Sequence, residues 1–267
     1  MNALLPTLLA AILAIAAYTV TTFLQWRALN SRPIGTRVLL WSVVACALLM
    51  HGIVLFEQLH TPSGWNLGIF SVASTVNWLA VLLVAIFATR LPIANLLLLT
   101  CPLSLLALLA SIVLDGGRPA ALDLEPEHII PSLLAYSVLF IAACQAVLLA
   151  IQEHRLRTSK SLFGLRLLPP LQAMENLLFE LLWLGLVLLT IAIVTGLLFL
   201  DNMFEQRVVH HAVLSMSSWL VFAILLWGRY TLGWRGSTAI RWTLAGYLTL
   251  ALAYFGSKAV IELLLQH

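Results

Sequence analysis

LLFLDNMFEQRVVHHAVLSMSSWLVFAILLWGRYTLGWRG, residues Leu197–Gly236, followed by GYLTLALAYFG at Gly246–Gly256, decides the fold class. Two long apolar blocks, Ala212–Trp227 and Thr243–Leu265, flank a short turn that holds Arg229, Arg235 and Arg241. Neither block carries a charge before Lys258 and Glu262. A helix of about 20 apolar residues crosses the hydrocarbon core of a bilayer, so both blocks read as membrane spans. Basic residues gather in cytoplasmic loops, which places the turn in the cytoplasm and sets the direction of every other segment.

The rest of the chain has the same character. Hydrophobic residues make up 62% of the 267 positions and charged residues only 9%, whereas a soluble domain carries about 25% charged residues. In lipid the backbone is satisfied only within helices or closed barrels. A barrel strand would alternate in polarity, and these blocks are continuously apolar and Leu-rich. The expected fold is therefore an all-α polytopic membrane protein. It forms a single domain over 1–267, a bundle of eight transmembrane helices with short loops and both termini outside. The eight blocks are Leu4–Leu24, Val38–Phe56, Leu67–Ala88, Ile93–Leu114, Ile129–Ile151, Leu177–Leu200, His211–Trp227 and Trp242–Leu264. The first has no basic residue ahead of it and is long enough to span, so it reads as a helix rather than a cleaved signal.

Charge fixes the orientation. Arg27, Arg32, Arg37, Arg90, Arg155, Arg157, Lys160, Arg166, Arg229, Arg235 and Arg241 fall in the odd-numbered loops, leaving only Arg118, Arg207 and Lys258 of the 14 basic residues on the other side. Asp115, Asp123, Glu125, Glu127, Asp201 and Glu205 show the opposite bias. The odd loops are therefore expected in the cytoplasm. Trp26, Trp41, Trp227, Trp234 and Trp242 fall near that same interface, where amphipathic rings settle. The basic stretch Gln152–Asn176 predicts a short interfacial helix broken at Pro169-Pro170, followed by the sixth span. The net charge of +3 is spread over short loops, so no patch covers phosphates and nucleic acid is excluded as a partner.

Chemistry-bearing residues are few. Cys46, Cys101 and Cys144 lie inside apolar blocks without C-x-x-C spacing and read as small membrane-core residues. There is no Gly-rich phosphate loop, no H-E-x-x-H and no G-x-S-x-G. Glu180 and Glu262 lie toward span ends rather than centres, which weighs against an ion-coupled carrier. Histidine is more informative. His60 and His267 read as solvated ends, and His210 and His211 as polar residues at the outer start of the seventh span. His51 lies inside the second span, about five residues or roughly 7–8 Å from its outer end. An ionisable side chain at that depth marks a functional site or a neutral imidazole hydrogen-bonded to a neighbouring helix, and the sequence leaves both open. His128 starts the fifth span on the same side. Two imidazoles at similar depth can hold an iron porphyrin between them. That demands ligating nitrogens about 4 Å apart, with metal–nitrogen bonds near 2 Å.

Three segments carry a family resemblance. They are WLVFAILLWGRYTLGWRG at Trp219–Gly236, AYFGSK at Ala253–Lys258, and HIIPSLLAYSVLFIAACQAVLLA at His128–Ala150. They resemble the cytochrome c assembly membrane-protein superfamily, the CcsA, ResC and CcmC-like haem-handling proteins. The similarity is greatest to the small HemX/YpjD-like inner-membrane branch. The resemblance implies a bacterial inner-membrane, multi-pass protein that is non-catalytic, binds or handles haem, and takes part in cytochrome c assembly. Its implied cofactor is haem, and its implied partners are lipid, haem and other membrane proteins. It carries a haem-ligand role onto His51 and His128, where these proteins place histidines. The tryptophan-rich outer loop of haem-delivering members has no counterpart, since GLLFLDNMFEQRVVHHAVLSMSSW contains no tryptophan before Trp219. Where those members carry a further histidine at the end of the next helix, this chain has Trp227. The alternative the resemblance leaves open is a cofactor-free scaffold or regulator, a HemX-like effector that has kept the fold.

Overall fold

A computed structural model describes residues 4–30, 37–61, 64–114, 126–158, 169–199 and 209–256. The protein is all-α apart from a two-residue antiparallel pair, β1 (His60–Thr61) with β2 (Gly64–Trp65). The helices are α1 (Leu4–Asn30), α2 (Arg37–Leu59), α3 (Ile69–Phe87), α4 (Leu97–Val113), α5 (Pro126–Arg157), α6 (Leu171–Phe199), α7 (Val209–Thr231) and α8 (Ser237–Ala251). The first seven expected spans lie on α1–α7, and the eighth begins on α8 and runs past Gly256 outside the described residues. Among the described residues seven are long and apolar enough to cross a membrane. The helical stretch that includes α8 continues as a π-turn over Leu252–Gly256.

Pro102 lies inside α4 without ending it, although it removes the bond its amide would give the Leu98 carbonyl; a 3-10 turn at Ala94–Leu96 leads into the helix. The interfacial helix expected ahead of Pro169-Pro170 falls on residues 159–168, outside the described residues, and the stretch after the pair belongs to the sixth span. It is the start of α6, whose Met174 amide bonds the Pro170 carbonyl at 3.1 Å, so Gln172 and Glu175 ride on the sixth span. Residues 159–168, the acidic loop 115–125, and Lys258, Glu262 and His267 lie outside the described residues.

The chain divides into two compact units, one built on α1–α4 and one on α5–α8. In the first, α1 packs on α2 and α4, and α3 packs on α2 and α4. Ala10, Ala11 and Ala14 of α1 are buried against Val54 and Leu108. Small residues let helix backbones approach closely where lipid supplies no hydrophobic drive. In the second, α5 packs on α6 and α8, and α7 packs on α6 and α8. Buried alanines at 135, 142, 143 and 146 line α5, and the Gln145 side-chain amide ties it to α6, Nε2 donating to the Met174 carbonyl at 2.9 Å.

The α7–α8 connection follows the expected turn. Gly233 and Gly236 adopt φ of 67° and 52°, a region that glycine enters without Cβ strain. The Leu232 and Trp234 amides both bond the Gly228 carbonyl, folding the turn back on the end of α7. Arg229 Nη1 donates to Glu175 of α6 at 2.7 Å and to the Trp234 carbonyl at 3.2 Å. Its guanidinium also lies 4.5 Å from the Phe179 ring centre.

Candidate functional site

His51 lies on the buried face of α2 and is fully enclosed. Because α2 extends to Leu59, it sits about 12 Å from the helix end at 1.5 Å per residue, deeper than the apolar run indicates. Both ring nitrogens are engaged. The Tyr18 hydroxyl of α1 is 2.9 Å from Nδ1, and the Ser74 hydroxyl of α3 is 2.8 Å from Nε2. Either neutral tautomer is satisfied, because each hydroxyl can donate or accept. The imidazole thereby joins three helices of the first unit through hydrogen bonds that lipid would not replace.

His128 belongs to the second unit, so the histidines singled out from the sequence sit in separate units. It stands near the start of α5, half-buried, with Nδ1 3.0 Å from the Ala192 carbonyl of α6. A carbonyl only accepts, so Nδ1 carries the hydrogen and Nε2 holds the lone pair. Ser132 Oγ lies 3.5 Å from Nε2 but donates to the His128 carbonyl at 2.7 Å. The ring occupies space that Gly196 leaves: a Cβ there would come within 2.9 Å of Cε1 and 3.1 Å of Nδ1.

His211, near the start of α7, repeats the arrangement. Its Nδ1 donates to the Ala253 carbonyl in the π-turn at 3.0 Å, and its ring is half-buried. Sequence reasoning set His211 aside as an interfacial residue. The available signal was the quoted AYFG segment, whose Ala253 carbonyl holds the ring.

The start of α5, the end of α6, the start of α7 and the π-turn after α8 thus assemble at one end of the second unit. Tyr254 stands edge-on to His211, centroids 6.0 Å apart. Tyr136 stands edge-on to Tyr254 at 6.2 Å and donates its hydroxyl to the Leu250 carbonyl at 3.0 Å. The site therefore offers two neutral imidazoles in one tautomer, each oriented through Nδ1 by a backbone carbonyl, beside aromatic surface. Ligating histidines are commonly fixed in this way by the bond their second nitrogen makes. Among the described residues no group of three or more His, Cys, Asp or Glu is placed to hold a bare metal ion. In each neutral ring Nε2 is the nitrogen left with a lone pair for a ligand.

Comparison with known proteins gives a consistent picture. A family model described as cytochrome C assembly protein matches residues 40–265. Inner membrane protein YpjD of Escherichia coli strain K12 is 34% identical over 259 residues, covering 95% of this chain and 98% of the relative. A protein of Azospirillum brasilense, described as an uncharacterized 28.8 kDa protein, is 33% identical over 156 residues, 57% of this chain and 56% of its own length. No solved structure matches the chain. With its long apolar helices, this is a multi-pass protein of the inner membrane.

Proposed function

This chain belongs to the cytochrome c assembly protein family, and from that premise we propose that it is a non-catalytic haem-handling protein that holds haem iron through His128 and His211. One observation carries the reading: both Nδ1–H groups are committed to carbonyls, leaving Nε2 of each ring as the lone-pair nitrogen. When bound, the iron porphyrin supplies redox and ligand-exchange chemistry. The protein's own residues orient the imidazoles, fix their tautomer and supply an apolar surround.

Pairing of His128 with His51 is the second reading, favoured by the family resemblance at both positions. It requires His51 to give up its bonds to Tyr18 and Ser74, each worth about 0.5–1.5 kcal/mol net. Visible spectra of detergent-purified protein titrated with haem separate the two. The parent is expected to give a low-spin bis-histidine spectrum, lost in His128→Ala and in His211→Ala and kept in His51→Ala. Loss in His51→Ala with retention in His211→Ala reverses the ligand assignment. A parent that takes up no haem leaves the cofactor-free scaffold or regulator.

The reading also places the site on the outer side of the membrane, with eight spans and both termini outside. The asymmetry of basic residues supports that topology. A reporter active only in the cytoplasm, fused after His267, should be silent. Activity there means that one apolar helix does not cross.

A further inference from the structure

The tryptophan-rich loop of haem-delivering proteins has no counterpart in this sequence, yet the second unit supplies an aromatic surface from another element. Beside His211 the helical stretch after α8 widens into a π-turn over Leu252–Gly256. The Tyr136 hydroxyl bonds the Leu250 carbonyl where the widening begins. π-turns recur at functional sites. One turn then does two things. Its Ala253 carbonyl accepts the His211 Nδ1 hydrogen, and its next residue, Tyr254, sets an aromatic ring against the same imidazole.

The ring angles discriminate among the aromatics. An imidazole that ligates axially stands edge-on to the macrocycle it binds. A side chain that stacks on that macrocycle must therefore stand close to perpendicular to the imidazole. Tyr254 makes an angle of 74° with His211. Phe255 lies at 84° to Tyr254 with centroids 5.3 Å apart, and Tyr136 at 70° and 6.2 Å. Both meet Tyr254 in the edge-to-face geometry that aromatic pairs prefer, so they brace its ring rather than compete for the stacked position. Tyr136 is buried, whereas Tyr254 and Phe255 are half-buried. We infer that Tyr254 is the stacking platform for the porphyrin face in this protein, held by Tyr136 and Phe255 and placed by the turn that also orients His211. This rests on the haem-handling reading of the site and adds to it a residue that contacts the ring rather than the iron.

The test uses two probes on the full-length protein in detergent: iron protoporphyrin IX, read by its visible spectrum, and metal-free protoporphyrin IX, read by its fluorescence. Histidine ligation acts on the first alone, and stacking acts on both. Aromatic stacking on a nucleobase typically contributes a factor of about 5–150 in affinity. Tyr254→Leu is expected to weaken metal-free porphyrin binding at least about tenfold, while Tyr254→Phe, which keeps the ring, stays within about threefold of the parent. His128→Ala and His211→Ala should lose the low-spin iron spectrum, which reports ligation rather than stacking. Size-exclusion elution as a single peak shows that each variant is folded. If Tyr254→Leu fails to fold, Tyr254→Met supplies the ring-free comparison. A ring-free variant with parental affinity for both probes overturns the platform and leaves the ligand assignment standing. Equal losses in Tyr254→Leu and Tyr254→Phe overturn it too, since the hydroxyl rather than the ring would matter. Porphyrin binding that depends on Tyr254, with iron spectra indifferent to both histidines, keeps the platform and removes the ligand assignment. A parent that binds neither probe removes both.

Discussion

Gly196→Ala is expected to abolish the low-spin haem spectrum of the parent while changing its stability by less than about 1 kcal/mol, since the helix gain and the strained His128 bond oppose one another. Gly196 lies within α6, where exchanging glycine for alanine ordinarily stabilises a helix by about 0.5–1 kcal/mol. Here the new methyl meets a ring. It would stand 2.9 Å from Cε1 and 3.1 Å from Nδ1 of His128, inside the roughly 3.5–4.0 Å at which carbon atoms attract. That ring is not the loose end of a flexible chain. It is held by the bond from Nδ1 to the Ala192 carbonyl, one turn earlier on the same helix. Relief of the clash moves the imidazole, breaks or bends that bond, and turns Nε2 away from its place. Loss of one axial ligand should lower haem affinity by a factor of about ten or more, on the order of 1.4 kcal/mol. Gly185 is the internal comparison. A Cβ there would meet the Leu139 side chain at 2.4 Å, a packing clash remote from either histidine, so Gly185→Ala should lower folded yield and leave the spectrum per folded molecule unchanged. Parental haem affinity and spectrum in Gly196→Ala would show that the His128 pose seen here is not the ligating one.

The spans and the α7–α8 turn were legible because their causes are local. Continuous apolar runs admit only helices in lipid, and Gly233 and Gly236 stand where a tight reversal needs positive φ. His128 was singled out by its depth beside His51 and by the family resemblance, whereas His211, equally a polar group at the head of an apolar helix, had nothing local to distinguish it. His211 acquires meaning from the Ala253 carbonyl, 42 residues away, and no helical period links the start of one span to a turn beyond the end of another. The π-turn is also invisible to periodicity, and the Tyr136 hydroxyl that bonds the Leu250 carbonyl beside it stands 114 residues earlier. His51 shows the converse. Its burial cost could be read from depth, but whether a metal or a hydrogen bond offsets that cost depended on Tyr18 and Ser74, on two other helices. Those hydroxyls carry no mark in the sequence that separates them from the many Ser and Thr side chains of the apolar spans.

Trp234→Ala is expected to lower the yield of folded protein sharply, with no selective effect on haem. The indole lies flat against the place where Gly228 lacks a side chain; a Cβ at 228 would come within 2.5 Å of its Cε3. On its other flank it meets Trp242 of α8, centroids 5.2 Å apart. Removing it empties the inside of a turn whose backbone is already committed, with the Trp234 amide on the Gly228 carbonyl and the Trp234 carbonyl under Arg229. Truncating a large aromatic to alanine costs about 3–5 kcal/mol in a packed core, and a half-buried Trp234 belongs near 3. The site at His128 and His211 should not register the change. The turn follows the far end of α7, and Gly228 lies about 25 Å along the helix from His211 at 1.5 Å per residue. The rigid body between them carries no strain from a lost side chain at its end. Haem bound per folded molecule should therefore equal that of the parent, and thermal unfolding in detergent should come several degrees earlier. A normal yield with most of the haem lost would mean that this turn, rather than the opposite end of the unit, governs the cofactor.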